Sequence, residues 1–447
     1  MRRREFLAGL IGGGLAAMMP RAHGAEPGAA KDRPNIIFIL VDDVGYSELG
    51  CYGNTFGETP NLDRLAAEGM LFTDAYAAAP VCSPTRASLM TGQYPARVGI
   101  IDYLRADDPN HLSPEKHVSL AKALGQAGYH TGLIGKWHLM GDYATRKGDP
   151  KLHGFQEVIC SETSYIGPGH YFHPYEHLAG LPARLDHEYL TDRLNLEAVD
   201  FIDRNHDQPF FLYLSHYAPH RTLVGKEDLV EKHKKKPGAG EPGKNPALAA
   251  MIESIDEGVG MIMAKLDEYG FAHNTVLVFM SDNGGDPTET INAPLRGAKS
   301  QTYEGGIREP LIIRWPDEVA AGSVTSVPVS TVDFYPTFCE LAGAKSSQLV
   351  DGVSMVPVLH GAKELSRDAL FWYYPLEKPH HLGGRSSGAV RQGDFKLIEF
   401  YDAGEIELYN LKDDLGESKN LATDHPGKAA ELRQLLDNWR REVTAGQ

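Results

Sequence analysis

Four short, apolar, β-rich runs that each end in polar residues, with helical stretches between them, constrain this chain more than any other feature. Asn35–Val41 closes on Asp42-Asp43, the run over 129–134 leads to Lys136 and His138, Phe210–Ser215 leads to His216 and His220, and Thr275–Ser281 closes on Asp282-Asn283. Continuous apolar runs of this length read as strands buried on both faces. Helical spacing is read over 61–68, 119–127, 190–205 and 247–269, the third carrying Leu194, Ala198, Phe201 and Ile202 on one face. Strands alternating with helices predict an α/β body on a large, mostly parallel sheet sandwiched by helices. Near residue 365 the pattern changes. Residues 389–398 and 406–411 alternate like hairpin strands and 427–444 closes as a helix, which predicts a smaller C-terminal α+β domain over 366–447 after a main domain over 33–365.

In open α/β sheets, sites form beyond the carboxyl ends of the strands, so the polar residues at those ends are expected to converge. Asp42, Asp43, Asp282 and Asn283 offer hard oxygen donors, which suit Ca²⁺ or, less well, Mg²⁺ rather than zinc. Asp and Asn also terminate strands through purely local hydrogen bonds. Two such pairs at corresponding strand ends favour the metal reading.

With 44 basic against 60 acidic residues the formal charge is −16, which argues against a general nucleic-acid binder. Any anionic ligand must therefore meet a local cationic site. The first 25 residues differ from the rest: Arg2, Arg3 and Arg4 precede a Gly-broken apolar stretch over 7–19 and a small-residue segment over 22–25. This is the layout of a twin-arginine export signal and predicts a periplasmic protein. The apolar stretch falls short of the about 20 residues needed to span a bilayer, so no stable membrane insertion is expected. Cys51, Cys82, Cys160 and Cys339 are sparse and lack metal-ligand spacing.

Cys82 opens the segment Cys82-Ser83-Pro84-Thr85-Arg86, which continues to Thr91-Gly92 with helical character. Ser83 is expected to cap this helix and Pro84 suits its first turn. Cys82 then sits at an anion-attracting helix end beside Arg86, although spacing alone also allows a small buried core cysteine.

Here the sequence resembles the type I, formylglycine-dependent sulfatases of the alkaline-phosphatase-like superfamily, notably those of the arylsulfatase A and N-acetylgalactosamine-6-sulfatase type. The signature Cys-x-Pro-x-Arg followed by Thr-Gly is matched by residues 82–92. The likeness extends to Asp42-Asp43, to residues 50–53 and 59–63, to Gly135-Lys136-Trp137-His138-Leu139, to residues 281–284 and 295–299, and to residues 407–410 and 420–422 of the second domain. The resemblance implies that Cys82 is oxidised to formylglycine by a formylglycine-generating or anaerobic sulfatase-maturating enzyme. The hydrated aldehyde would be bound to Ca²⁺ beside Asp42, Asp43, Asp282 and Asn283. One hydroxyl of the diol would attack sulfur and the other, losing its proton, would expel sulfate and restore the aldehyde. Arg86, Lys136 and Lys299 would join the cation in stabilising the transition state, His138 would assist the diol, and His220 with Lys299 would serve the leaving group.

The implied activity is release of sulfate from a sulfated small molecule or glycan, with galactose, N-acetylgalactosamine and simple aryl sulfates all open. A phosphoester or phosphonate hydrolase on the same scaffold is the alternative, and Cys82 argues against it, because phosphatases of this scaffold generally carry Ser or Thr there. The contact after the Lys-x-His strand stays open among Ser161, Thr163 and Ser164. His170, His173 and His177 read as an exposed loop with a sugar-lining or metal role open, and Arg385 with His380 and His381 as candidates to meet the sugar.

Overall fold

The structure, a computed structural model, describes residues 33–165 and 171–445, so the export signal read over 1–25, and His170, lie outside the described residues. The strands are β1 (Asn35–Val41), β2 (Met70–Tyr76), β3 (His130–Gly135), β4 (Glu157–Ile159), β5 (Phe210–Ser215), β6 (Thr275–Ser281), β7 (Arg308–Arg314), β8 (Ser323–Thr325) and β9 (Val329–Ser330). They form one sheet in the order β4-β3-β5-β1-β6-β7-β2-β8, with β9 also on β2. Within this sheet only β7, among its described strands, runs against its neighbours, pairing antiparallel with β6 and β2. The sheet is therefore mixed and mostly parallel. Of its nine described strands, β2, β4, β7, β8 and β9 were not expected from the sequence.

The helices are α1 (Pro60–Glu68), α2 (Cys82–Thr91), α3 (Pro95–Val98), α4 (Leu120–Gln126), α5 (Leu190–Arg204), α6 (Glu227–Lys234), α7 (Pro246–Glu268), α8 (Glu304–Ile307), α9 (Phe334–Ala342) and α10 (Val356–Leu359). Alternate residues of β1 serve opposite faces, as the pleat requires. Ile36, Phe38 and Leu40 pack with α2, α4 and α9, where the Phe38 and Phe334 rings meet edge-on at 4.8 Å. Ile37, Ile39 and Val41 pack with α1, α5 and α7. α5 lies so close to β3 that a Cβ on Gly132 would come within 2.3 Å of the Phe201 ring.

A second, antiparallel sheet runs β10 (Leu370–Tyr374), β11 (Ser387–Gln392), β12 (Phe395–Phe400) and β13 (Glu405–Asn410). The single strand expected over 389–398 is two strands, because Gly393 takes a left-handed φ of 58° and turns the chain. Val390, Leu397 and Leu408 on one face meet Ala429, Leu432 and Leu436 of α11 (Pro426–Val443). Trp372, Ala389, Ile398 and Tyr409 on the other face pack on Tyr76 and Ile307 of the main body. The four cysteines stand as separate thiols. Among the described residues no helix is long and apolar enough to cross a membrane.

Candidate active site

The carboxyl ends of β1, β3, β5 and β6 deliver their polar residues to one place. Asp43 and His138 leave their strands with left-handed φ of 67° and 54°, conformations that cost energy in any residue but Gly and that recur at functional sites. Asp42, Asp43, Asp282 and Asn283 are all buried. Asn283 donates from Nδ2 to Asp43 Oδ1 at 2.7 Å, and the Asp43 amide donates to Asp282 Oδ1 at 3.3 Å. Lys136 pairs with Asp42, and Lys299 Nζ reaches Asp43 Oδ2 at 2.7 Å.

Arg86 belongs to this cluster but not to the cavity wall. Its Nε and Nη2 both donate to Asp282 Oδ2, at 3.0 and 2.6 Å, and Nη1 donates to Ser215 Oγ at 2.6 Å. The guanidinium is fully buried and its donors are engaged, so it orients Asp282 rather than facing a ligand.

Cys82 is the first residue of α2 and is 3% exposed. Ser83 does not cap the helix as expected; the cap position is Val81, and Ser83 Oγ instead accepts from the Leu104 amide at 3.0 Å. Cys82 Sγ lies 3.2 Å from His138 Nδ1, while His138 Nε2 lies 3.0 Å from the Leu104 carbonyl. Because a carbonyl only accepts, Nε2 carries the proton and Nδ1 presents its lone pair to residue 82. Burial and the Lys136 charge push His138 down to about 3, so the ring is neutral at physiological pH. His220 is fixed likewise, Nδ1 donating to the Arg221 carbonyl at 3.0 Å and Nε2 lying 4.0 Å from Asp43 Oδ2. Burial and Lys299 push it down to about 4.

Burial works to raise the Asp42 carboxyl, but Lys136, His220 and Arg86 hold it well below the usual range. Burial and the neighbouring Asp42 charge push Asp282 up to about 8. Asp42 Oδ1 and Asn283 Oδ1 are buried without a hydrogen-bond partner among the described residues. Asp42, Asp43 and His220 bring ligand atoms within 4.8 Å of one another. Orphaned oxygens among clustered carboxylates fit an oxygen-seeking cation, since burying such atoms otherwise costs about 1–3 kcal/mol each.

A cavity of about 230 Å³ opens above Cys82, with Lys136, His138, His220 and Lys299 in its wall. His380 and His381 of the second domain line it as well, with Tyr103, Arg221 and Asp286. Arg385 does not: it pairs with Asp402 and Glu405 and lies over the Phe400 ring at 4.1 Å. His173 and His177 are also away from the cavity. His173 Nε2 bonds the Leu181 carbonyl, and His177 is buried against the Tyr217 ring rather than in an exposed loop.

Sequence reasoning missed Glu162, which lies between the candidates left open there. Its carboxylate accepts from the amides of Trp137 (2.9 Å) and His138 and from the Tyr217 hydroxyl (3.1 Å). Ser215, Arg221 and Asp286 were also missed as site residues. Only the adjacency of Ser215 and Asp286 to recognised strand ends could have signalled them.

A doubly covered, mostly parallel sheet with an acidic and cationic cluster at its strand ends is the architecture of the alkaline-phosphatase-like enzymes, and the cluster suits an anionic ester. The chain belongs to the sulfatase family, whose profile matches residues 34–344, followed by the profile "N-sulphoglucosamine sulphohydrolase, C-terminal" over residues 298–442. It is a sulfuric ester hydrolase. Human arylsulfatase A is 31% identical, over 90% of this chain and 86% of its own length. Mouse N-acetylgalactosamine-6-sulfatase is 34% identical, over 79% of this chain and 71% of its own. The crystal structure of Ps i-CgsB in complex with k-i-k-neocarrahexaose superposes with a TM-score of 0.81 at 32% identity, covering 91% of this chain and 93% of that one.

Proposed function

We propose that this sulfatase hydrolyses the sulfate monoester of a carbohydrate of galactose or N-acetylgalactosamine type, using Cys82 in its formylglycine form and Ca²⁺ held by Asp42, Asp43, Asp282 and Asn283. The observation that carries this reading is Cys82 at the start of α2, in one small cavity with Lys136, Lys299, His138 and His220. Likeness to N-acetylgalactosamine-6-sulfatase and to a protein solved with an oligosaccharide supports the sugar. The hydrated formylglycine would supply an oxygen nucleophile, and Ca²⁺ would supply Lewis acidity.

The remaining chemistry falls to the chain. A bound divalent cation would favour the ionised form of Asp282 against the burial that raises it; Asp42, Asp43 and Asp282, all ionised, then balance Arg86, Lys136 and Lys299, and the cation would leave the cluster at +2 and ready for an anionic ester. Lys136 and Lys299 line the cavity and would take sulfate oxygens, as preorganised charges that need no reorientation. Burial opposes the charge on Lys299, yet Asp43 raises its pKa, so Lys299 keeps its proton. His138 Nδ1, held free by the Leu104 carbonyl, is placed to accept a proton from the group at position 82. His220 and Lys299 would serve the departing oxygen.

Cys82 is buried, so a maturating enzyme would have to reach it before the fold closes. The twin-arginine leader agrees with this order, since such signals export folded proteins; modification in the cytoplasm followed by periplasmic residence is the proposed sequence of events.

The test is mass spectrometry of tryptic peptide 65–86 from native-host protein, with reductive labelling, alongside turnover of matched galactose sulfate, aryl sulfate and phosphate esters. Aldehyde at position 82 and preference for the sugar sulfate are expected. An exclusively thiol Cys82 in turning-over enzyme would overturn the nucleophile, and faster phosphate turnover would overturn the sulfate preference.

A further inference from the structure

The part of the cavity wall that the proposed chemistry leaves unused is itself built. Asp286 is 4% exposed. Its Oδ1 is fixed by the Thr288 amide at 2.9 Å and the Thr288 hydroxyl at 2.7 Å, whereas Oδ2 is buried without a hydrogen-bond partner among the described residues. The nearest cation, Arg221 Nε, stands 3.7 Å from Oδ2, close enough for charge compensation but outside hydrogen-bond range. Asp286 thus brings one buried, orphaned acceptor to the cavity wall that it shares with Cys82.

Arg221 Nη2 lies 3.0 Å from His381 Nε2. Because a guanidinium only donates, His381 Nε2 accepts, and the His381 proton sits on Nδ1. His380 Nδ1 accepts from the Leu382 amide at 3.2 Å, which leaves its proton on Nε2. The two imidazoles lie against each other at 4.2 Å, and the Tyr103 ring packs on His380 at 5.5 Å. Both rings are neutral in this arrangement, so this part of the wall, apart from Lys136 and Lys299 beside Cys82, pairs the Asp286 carboxylate with the Arg221 guanidinium and adds a set of directed neutral groups. A second anionic group on the substrate would meet Arg221 only with Asp286 beside it. Adjacent hydroxyls of a neutral ring match the wall instead, one donating to Asp286 Oδ2 and the next accepting from Arg221. A cavity of about 230 Å³ is below the roughly 300–1,000 Å³ of pockets for drug-sized ligands, which suits a single ring.

We propose that Arg221 and Asp286, braced by His380 and His381, form the specificity subsite that reads two neighbouring free hydroxyls of a neutral sugar ring bearing the sulfate. This deepens the carbohydrate-sulfatase reading and rests on it. A site built to hydrogen-bond hydroxyls discriminates strongly against substrates that lack them, because its own polar groups are then left unpaired.

The experiment measures kcat and KM of the matured, metal-loaded enzyme on a galactose monosulfate, on a hexuronate monosulfate, and on 4-nitrophenyl sulfate, which has no ring hydroxyls. Wild type should favour the galactose ester over the hexuronate. Asp286→Asn and, independently, the half-exposed Arg221→Gln should each lower kcat/KM on the galactose ester at least about 30-fold, mainly through KM. The loss on 4-nitrophenyl sulfate should be at least about tenfold smaller. Equal losses on both substrates, no loss on the sugar ester, or a wild-type preference for the hexuronate would each overturn the subsite. Wild-type turnover of the aryl ester with none of any sugar sulfate would instead overturn the carbohydrate reading beneath it.

Discussion

Glu162 does its work through backbone atoms. By accepting the consecutive amides of Trp137 and His138 it holds the left-handed turn that aims Lys136 at Asp42 and His138 at Cys82. Glu162→Ala would strand two buried amides at a cost of about 1–3 kcal/mol each. Loss of a supporting partner of this kind lowers activity by about 10- to 100-fold. We expect that fall in kcat, with a lowered melting temperature, and partial rescue by Glu162→Gln, which keeps an acceptor. Full kcat in a folded Ala variant would remove Glu162 from the positioning role. The residue also marks where sequence reading stops. Asp42, Lys136 and Asp282 were legible because each follows an apolar strand directly, and strand ends converge in this class of sheet; His220, five residues past β5, was chosen over His216 only through the family resemblance. Glu162 and Asp286 lie in loops, and their partners are 24 residues away for the His138 amide and 65 for Arg221, so only the folded chain reveals them. The role of Arg86 was half legible: its place beside the acidic cluster could be foreseen, but not that its fork would close on Asp282.

At the level of elements, the Lys136–His138 turn is set by Gly135, whose φ is 99° and where a Cβ would fall 2.0 Å from the Ser215 carbonyl oxygen. The obstruction is backbone of β5 rather than the end of a flexible side chain, so Gly135→Ala must spread β3 from β5 at the site. A displacement near 1 Å of catalytic groups costs about 100-fold in rate. kcat/KM should fall by that order while the second sheet keeps its fold, which hydrogen exchange over residues 370–410 would report; wild-type kcat/KM in this variant would contradict the argument. The strands that carry this geometry were read correctly because they are unbroken apolar runs buried on both faces. β7 was not, since Arg308, Glu309 and Pro310 disguise it. Proline there is tolerated because the β2–β7 register shifts between Phe72 and Ala75, which relieves the ladder where Pro310 lies. β2 carries Thr73 and Asp74 at the same irregularity and shows neither clean alternation nor an apolar run.

Across the whole molecule, the second domain is joined to the first by a buried charge network as well as by the Trp372 face. Asp74, Glu304 and Glu417 face Arg308, Arg391 and Lys396, and charge balances at three against three. Lys396 of β12 sits wholly buried between Glu304 of α8 at 2.8 Å and Glu417 at 2.9 Å. Burial and then the Glu304 charge push Glu417 up to about 7, against the pull of Lys396. Burial also works to raise Glu304, but Lys396, Arg308 and Arg391 hold it at about 2. A carboxyl raised on folding stabilises fully below its free value of 4.5, and that contribution is lost as pH climbs through about 7. Glu304 has the opposite sign, but its loss comes only as pH falls from 4.5 through about 2. Between pH 5 and 8 the Glu417 contribution alone changes, so this network weakens as pH rises across that window. Lys396→Met removes the cation between two buried carboxylates and should cost about 3–5 kcal/mol at pH 8. At pH 5 the stranded carboxyls can take up protons, so the melting temperature should drop less there than at pH 8. Equal drops at both pH values would mean that the pair stays ionised without Lys396, and that the interface is held by the Trp372 face rather than by charge.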